Sequence, residues 1–321
     1  MKIAEAKKVI EKMYEMDSPV FLWGETGIGK SAIVHSIFDE KDIPVVDVRL
    51  NVFDPTDLKG VPYLDIKNMV AKYIPLNLFK NDKRFVLFLD ELNTAPQIIQ
   101  NIAYQIVLDR EINGEPINAY IIGAGNREND GGFTFEMPRP LRRRFLAHIE
   151  VDANVDDWLV FMKDKLNPIV GSYLKFYPDR FITKNQKYNV LCPAVWTSVN
   201  DTLNKIGVVP EVLSGMLGLE YSPHFISHAK IYEKIDPIKT VNKKLIDKDS
   251  AVFVANIFGI ISKVKDISIK ALKEYVLHLI DKNYPEFALL IVNLVDMDIT
   301  DELLEDERIM ATFSELFDIE K

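Results

Sequence analysis

Apolar and polar positions divide the chain into two halves of different texture. In the first half, short continuous apolar runs alternate with helix-spaced ones. VFLW from Val20, VVDVRL from Val45, FVLFLD from Phe85, YIIGAGN from Tyr120 and LAHIEV from Leu146 read as strands of a parallel sheet covered on both faces. Helical patterns lie between them. The opening stretch sets Ile3, Lys7, Ile10 and Tyr14 on one helical face, and a helix follows the glycine-rich turn after VFLW and runs through Phe38. Behind a first-turn Pro96, the positions Ile99, Ile102, Ala103, Ile106 and Val107 recur at helix spacing. Alternating strand and helix predicts an α/β fold with a parallel sheet. From about Asn154 the strand signal fades and helical patterns take over, with breaks at Pro168, Pro178, Pro193, Pro210 and Pro223. A polar, lysine-rich stretch over residues 232–248 then separates one helical group from the next. The expected organisation is a core over residues 1–152, a helical region over 153–235 and a second helical region over 236–321.

Composition narrows the class. With 321 residues, 48% of them apolar and 27% charged, the chain has material for a large core and is no disulfide scaffold. Its single cysteine, Cys192, forms no internal disulfide and no cysteine zinc cage, and is expected to pack in the core of a protein from a reducing compartment. The longest apolar stretch, FALLIVNLV over residues 287–295, is about half of the roughly 20 residues a membrane span needs. No membrane insertion is expected, and the acidic residues of the first helix do not fit a signal peptide, so a cytoplasmic protein is expected. The net charge is −9, and residues 296–321 hold ten acidic residues against Arg308 and Lys321. A near-neutral body with an acidic tail lacks the basic footprint of duplex binding, which demotes nucleic acid as a partner. Within the tail, Leu303, Leu304, Ile309, Met310, Phe313, Leu316 and Phe317 would form one apolar helical face, either docked on its own domain or offered to a partner.

Candidate chemistry begins directly after the first strand. Gly24, Glu25, Thr26, Gly27, Ile28, Gly29, Lys30 and Ser31 read GETGIGKS, a full match to GxxxxGK[ST]. Here glycines let the main chain curl so that successive N–H groups point at a polyphosphate, Lys30 reaches the β and γ oxygens, and Ser31 takes a magnesium position. A strand before and a helix after are the surroundings such a loop needs; a ligand-free glycine-rich turn is the plainer alternative. FVLFLDE sets Asp90 and Glu91 at the carboxyl end of a buried strand, the side where ligands of such sheets sit. Asp90 is suited to the magnesium shell and Glu91 to polarising a water for attack on the γ-phosphorus, though strands also end in solvated charge. Asn126 closes another strand, where a neutral amide is able to hydrogen-bond the water or γ-phosphate, or merely to form a turn.

In order along the chain, GETGIGKS, FLDELN, GAGNREND and PRPLRRRF resemble Walker A, Walker B, sensor 1 and the arginine-finger segment of an AAA+ ATPase. DVRLNVFDPTDLKGVP, with its DP-x-DL-x-G core over residues 54–60, is similar to the MoxR-like branch of that superfamily. The resemblance implies a three-layer P-loop NTPase core with a five-stranded sheet, a helical lid and further C-terminal helices. It also implies that the segment between Phe53 and Arg84 is an insertion projecting towards a ring pore or a client. The family places an arginine before an aromatic residue, which points to Arg144 ahead of Phe145, with Arg142 second. Such an arginine serves the ATP of a neighbouring subunit and implies a homo-oligomeric ring, usually a hexamer. Without the other motifs, the arginines of this segment would read as a solvated basic cluster. Partners with a von Willebrand factor A domain are common in the branch. One departure stands out: where the lid usually carries a sensor 2 arginine, this chain reads Pro193-Ala194-Val195-Trp196, leaving Arg180 and Lys184 as candidate cations.

Other signals are weaker. VNKKLID puts Leu245 where a guanine-specific NKxD element needs aspartate, so ATP is preferred. His224 and His228 share a helix face without an intervening acid and are expected to be solvated or in the core. Trp158 and Trp196 fit packing better than base stacking. The expectation is therefore an ATP- and Mg2+-dependent ring ATPase that remodels or helps mature a partner protein. The alternatives are a nucleic-acid motor and a non-hydrolysing ATP-dependent assembly switch.

Overall fold

The computed structural model describes residues 1–74, 79, 83–127, 130, 133–183 and 190–319, the last five without their side chains. The chain forms two compact units, residues 1–153 and 154–321.

The first unit is built on five strands: β1 (Val20–Trp23), β2 (Val45–Arg49), β5 (Phe85–Asp90), β8 (Ala119–Gly125) and β9 (Ala147–Glu150). They run in the order β2-β5-β8-β1-β9, all parallel. Successive residues of a strand point to opposite faces, and here both faces are covered. Phe85, Leu87 and Leu89 enter one core with Ile99, Ala103 and Ile106 of α4 (Gln97–Asp109). Val86 and Phe88 enter the other with Ala6 and Ile10 of α1 (Ile3–Glu15) and Ile33 and Ile37 of α2 (Lys30–Phe38). Two-sided burial is why the central strands β5, β8 and β1 read as unbroken apolar runs, while the edge strands β2 and β9 stay partly exposed. The same packing holds the carboxyl ends of β5, β8 and β1 side by side.

Between β2 and β5 the chain leaves this sheet. Helix α3 (Pro55–Lys59) starts on a capping box in which Asp54 and Asp57 each accept from the other's end of the turn, with Pro55 at the first position. It stops at Gly60, whose φ of 84° is left-handed. A separate antiparallel hairpin follows, β3 (Val61–Asp65) and β4 (Val70–Ile74), whose Leu64, Ile66 and Met69 are each more than three-quarters exposed. A second small hairpin, β6 (Glu111–Ile112) with β7 (Glu115–Pro116), leads into β8, and the short α5 (Arg139–Arg142) precedes β9.

The second unit is helical: α6 (Val155–Met162), α7 (Pro168–Phe176), α8 (Pro193–Ile206), α9 (Pro210–Tyr232), α10 (Pro237–Lys243), α11 (Ser250–Ser262), α12 (Ile269–Asp281), α13 (Pro285–Leu294), α14 (Met297–Leu304) and α15 (Glu307–Ile319). Helix α11 is apolar on all sides and lies at the centre, packed by α7, α9, α10 and α13. Pro168, Pro193 and Pro210 each sit in the first turn of a helix, where the missing N–H costs nothing. Pro223 differs from expectation. It lies inside α9, and the break falls at Gly218, which takes the φ of 74° that a side chain would resist. The acidic tail likewise forms two helices, turning at Glu305 and Asp306, with Leu303 and Ile309 buried against their own unit. The side chains of Leu316 and Phe317 lie outside the described residues. Among those residues no helix is long and apolar enough to cross a membrane.

Candidate functional site

Strand β1 runs straight into the loop of residues 24–31. Gly27 and Gly29 adopt φ of 83° and 99°, left-handed values that let the main chain curl back before α2 begins at Lys30. Gly24 donates to the Gly125 carbonyl at 3.1 Å, tying the start of the loop to the end of β8. Glu25 and Gly27 are half-buried, Thr26 is exposed and Ile28 is buried in the core beneath the loop. Ser31, the second residue of α2, is half-buried.

Lys30 is 6% exposed, and its ammonium donates to the carbonyls of Gly24 at 2.6 Å and Glu25 at 3.2 Å and to Asn126 Oδ1 at 3.2 Å. Burial holds its pKa below the usual lysine value, while the charges of Asp90, Glu91 and Asp130 oppose the shift. Asp90, last in β5, is shifted the other way. Burial raises its pKa, against the Glu91 N–H bonded to its Oδ1 at 2.9 Å and the charge of Lys30. A desolvated cation beside a desolvated carboxylate is the arrangement in which an incoming charged ligand changes most.

Glu91 breaks the strand sharply. Its φ of 54° is left-handed, uncommon for a residue with a Cβ and a conformation that recurs at functional turns. The turn brings Glu91 Oε2 to 3.1 Å from the Thr94 hydroxyl and 3.4 Å from Asn126 Nδ2. Asn126, 5% exposed, also accepts from the Thr26 hydroxyl at 3.3 Å. One amide therefore meets the loop, its lysine and the acid at the end of β5. Lys30, Asp90, Glu91 and Asn126 come together; Ser31 sits on the same helix turn as Lys30.

Arg144 stands elsewhere on the unit. Exposed just past α5, it lies over the ring of Tyr104 at 5.8 Å, with Nη2 3.4 Å from that hydroxyl. Arg142 is exposed too, and its carbonyl accepts from His148 at 3.0 Å. In the helical unit, Ala194 is exposed, while Arg180 stacks on Tyr177 at 3.9 Å and donates to the Tyr173 hydroxyl at 2.6 Å. Lys184 lies outside the described residues. His228 and Trp196 are core residues and His224 is exposed.

Two elements were not singled out from the sequence. Asn93, 3% exposed, pairs both ends of its side chain with the main chain of Asn126. Arg127 is fixed by Asp130 and Asp152, which keep its pKa high and anchor the chain just beyond Asn126. A polar residue directly behind an acidic strand end was the available signal for Asn93.

Residues 20–153 match the family model of AAA, the ATPase family associated with various cellular activities. This stretch, under half of the chain, is thus similar to an AAA ATPase domain. The parallel sheet and glycine loop of the first unit have an AAA+ P-loop NTPase fold, and a helical region follows in the chain. Among solved structures, the chain is similar to the RuvB Holliday junction branch migration motor of Thermotoga maritima, with 15% identity, 87% of this chain and 86% of that one covered and a TM-score of 0.39. It is also similar to NtrX from Brucella abortus in complex with ADP, at 14% identity, 94% and 67% covered and a TM-score of 0.41. A third is an ATPase described from Cytophaga hutchinsonii, at 12% identity, 90% and 84% covered and a TM-score of 0.35. No curated protein matches the chain.

Proposed function

We propose that the AAA domain binds and hydrolyses ATP, and that the protein works as a MoxR-like ring that remodels or helps mature a partner protein. The observation that carries the reading is the Asn126 amide, which meets Lys30, Thr26 and Glu91 at once at the ends of adjacent strands. In this reading the glycine loop and Lys30 take the phosphates, and Asn126 takes the γ-phosphate or the attacking water. Glu91 accepts the proton of that water as its oxygen bonds to the γ-phosphorus; the bond to the bridging oxygen breaks, leaving ADP and phosphate. The donors Ser31 and Asp90 are a hydroxyl and a carboxylate, hard oxygens that suit Mg2+, which would supply charge neutralisation across the phosphates.

The exposed Arg144 supports a role across a subunit boundary, with Arg142 as the second choice. The capped turn over residues 54–60 and the apolar hairpin that follows support the MoxR-like reading and contact with a client protein, a von Willebrand factor A domain among the candidates. The test is phosphate release by the intact protein. Glu91→Gln is expected to slow turnover by about a hundredfold or more while nucleotide affinity is retained. Mixing Lys30→Ala with Arg144→Ala subunits is expected to restore part of the activity neither has alone. An unchanged rate in Glu91→Gln would remove the hydrolytic assignment, and an inactive mixture would remove the shared site.

A further inference from the structure

Asn93 lies two residues after Glu91, in the short turn that ends β5, and bonds to none of the loop's groups. Its Nδ2 donates to the Asn126 carbonyl at 2.7 Å, and its Oδ1 accepts from the Asn126 N–H at 3.0 Å. Strand β8 ends at Gly125, so the sheet no longer supplies partners for Asn126, and one side chain takes both of its main-chain groups. The approach needs Gly125, because a Cβ there would overlap the Asn93 amide. The amide has one workable orientation, since the flipped one would set oxygen against oxygen and N–H against N–H.

We propose that Asn93 is a positioning residue of the hydrolytic site, holding the Asn126 main chain so that the Asn126 amide is aimed between Lys30 and Glu91. This rests on the reading of the site as an ATPase centre. The Asn126 side chain can bridge the cation and the acid only while its own peptide is fixed, and small displacements of a catalytic group lower rate steeply. Asn200 of the helical unit is a natural control. It is fully buried and clamps main-chain groups of its own unit, donating to the Lys165 carbonyl at 3.0 Å and accepting from the Asn167 N–H at 2.6 Å.

Asn93→Asp keeps the side-chain shape and the acceptor but turns an oxygen towards the Asn126 carbonyl. In steady-state ATP turnover of the full chain, kcat is expected to fall at least about tenfold while affinity for ADP changes less than about twofold. In an Asn126→Ala background, where no amide remains to be aimed, adding Asn93→Asp is expected to change kcat by less than about twofold. Asn200→Asp is expected to lower Tm without that selective loss of kcat. Asn93→Ala, which buries no charge, repeats the comparison should the aspartate variant not fold. Equal losses in both backgrounds, or ADP affinity falling in step with kcat, would make Asn93 a plain structural clamp and overturn the inference. A wild-type protein that releases no phosphate overturns the reading of the site and this inference with it. Wild-type turnover that Asn93→Asp leaves unaltered overturns this inference alone.

Discussion

At the end of the sheet, Lys30, Asn126 and Glu91 share partners: the amide of Asn126 bridges a cation and an acid, and the ammonium leans on two carbonyls. Among the helices of the second unit the buried polar groups are paired off instead. Ser172 meets His228 at 2.8 Å, Thr240 meets Asn256 at 2.9 Å, and Asn200 closes the turn before α7. In the proposed reading the first set exchanges its partners for a ligand. The second has no reason to move, and its groups contribute stability alone.

The sharpest way to break this contrast is at Lys30. Burying an ammonium is costly, so Lys30→Met is expected to hold or raise the Tm of the nucleotide-free protein while abolishing the Tm gain on adding ATP and cutting turnover by about a hundredfold or more. Calorimetry with and without nucleotide checks it; a clear loss of nucleotide-free stability would mean the lysine is a structural group. At His228 the opposite is expected. His228→Ala removes a packed ring and should cost about 3 kcal/mol in urea unfolding at pH 7, with nucleotide affinity unchanged. Burial depresses the imidazole pKa from 6.5 to about 4, so the unfolded chain takes up a proton over a range where the folded one does not. Its stabilisation is therefore present above pH 6.5 and lost as pH falls towards 4, and the gap between wild type and His228→Ala should narrow over that window. A constant gap would show that the ring titrates freely. The smallest effect is expected at Thr240→Val, which takes the donor from Asn256 Oδ1 and should cost about 1 kcal/mol in the same measurement, again without touching nucleotide binding.

How much of this was legible in the sequence depended on whether the cause was local. The central strands β1, β5 and β8 announced themselves because burial on both faces leaves an unbroken apolar run, and with the helix-spaced segments between them the parallel α/β architecture followed. The glycines before Lys30 and the acids closing β5 were visible because turn and chemistry occupy consecutive residues. Asn93 was not, since both its partners belong to Asn126, which follows a strand adjacent to β5 in the sheet and distant in the chain. The hairpin of β3 and β4 was hidden for a different reason: with Leu64, Ile66 and Met69 exposed, burial imposes no alternation to read. Pro223 looked like a helix end, yet α9 continues through it because the chain had already bent at Gly218. The tail folds back at Glu305 and Asp306, a turn that an average over acidic composition conceals.

Trp23 gives the loop a spectroscopic handle. Its indole N–H donates to His148 Nδ1 at 3.0 Å, which leaves the imidazole proton on Nε2, donated to the Arg142 carbonyl at 3.0 Å. The tautomer is thereby fixed in a chain that runs from the residue before Gly24 to the segment presenting the arginines. Of the three tryptophans, the other two lie in the helical unit. A single indole resonance in a nitrogen-edited spectrum thus belongs to the doorstep of the glycine loop, ready to register both ends of that chain.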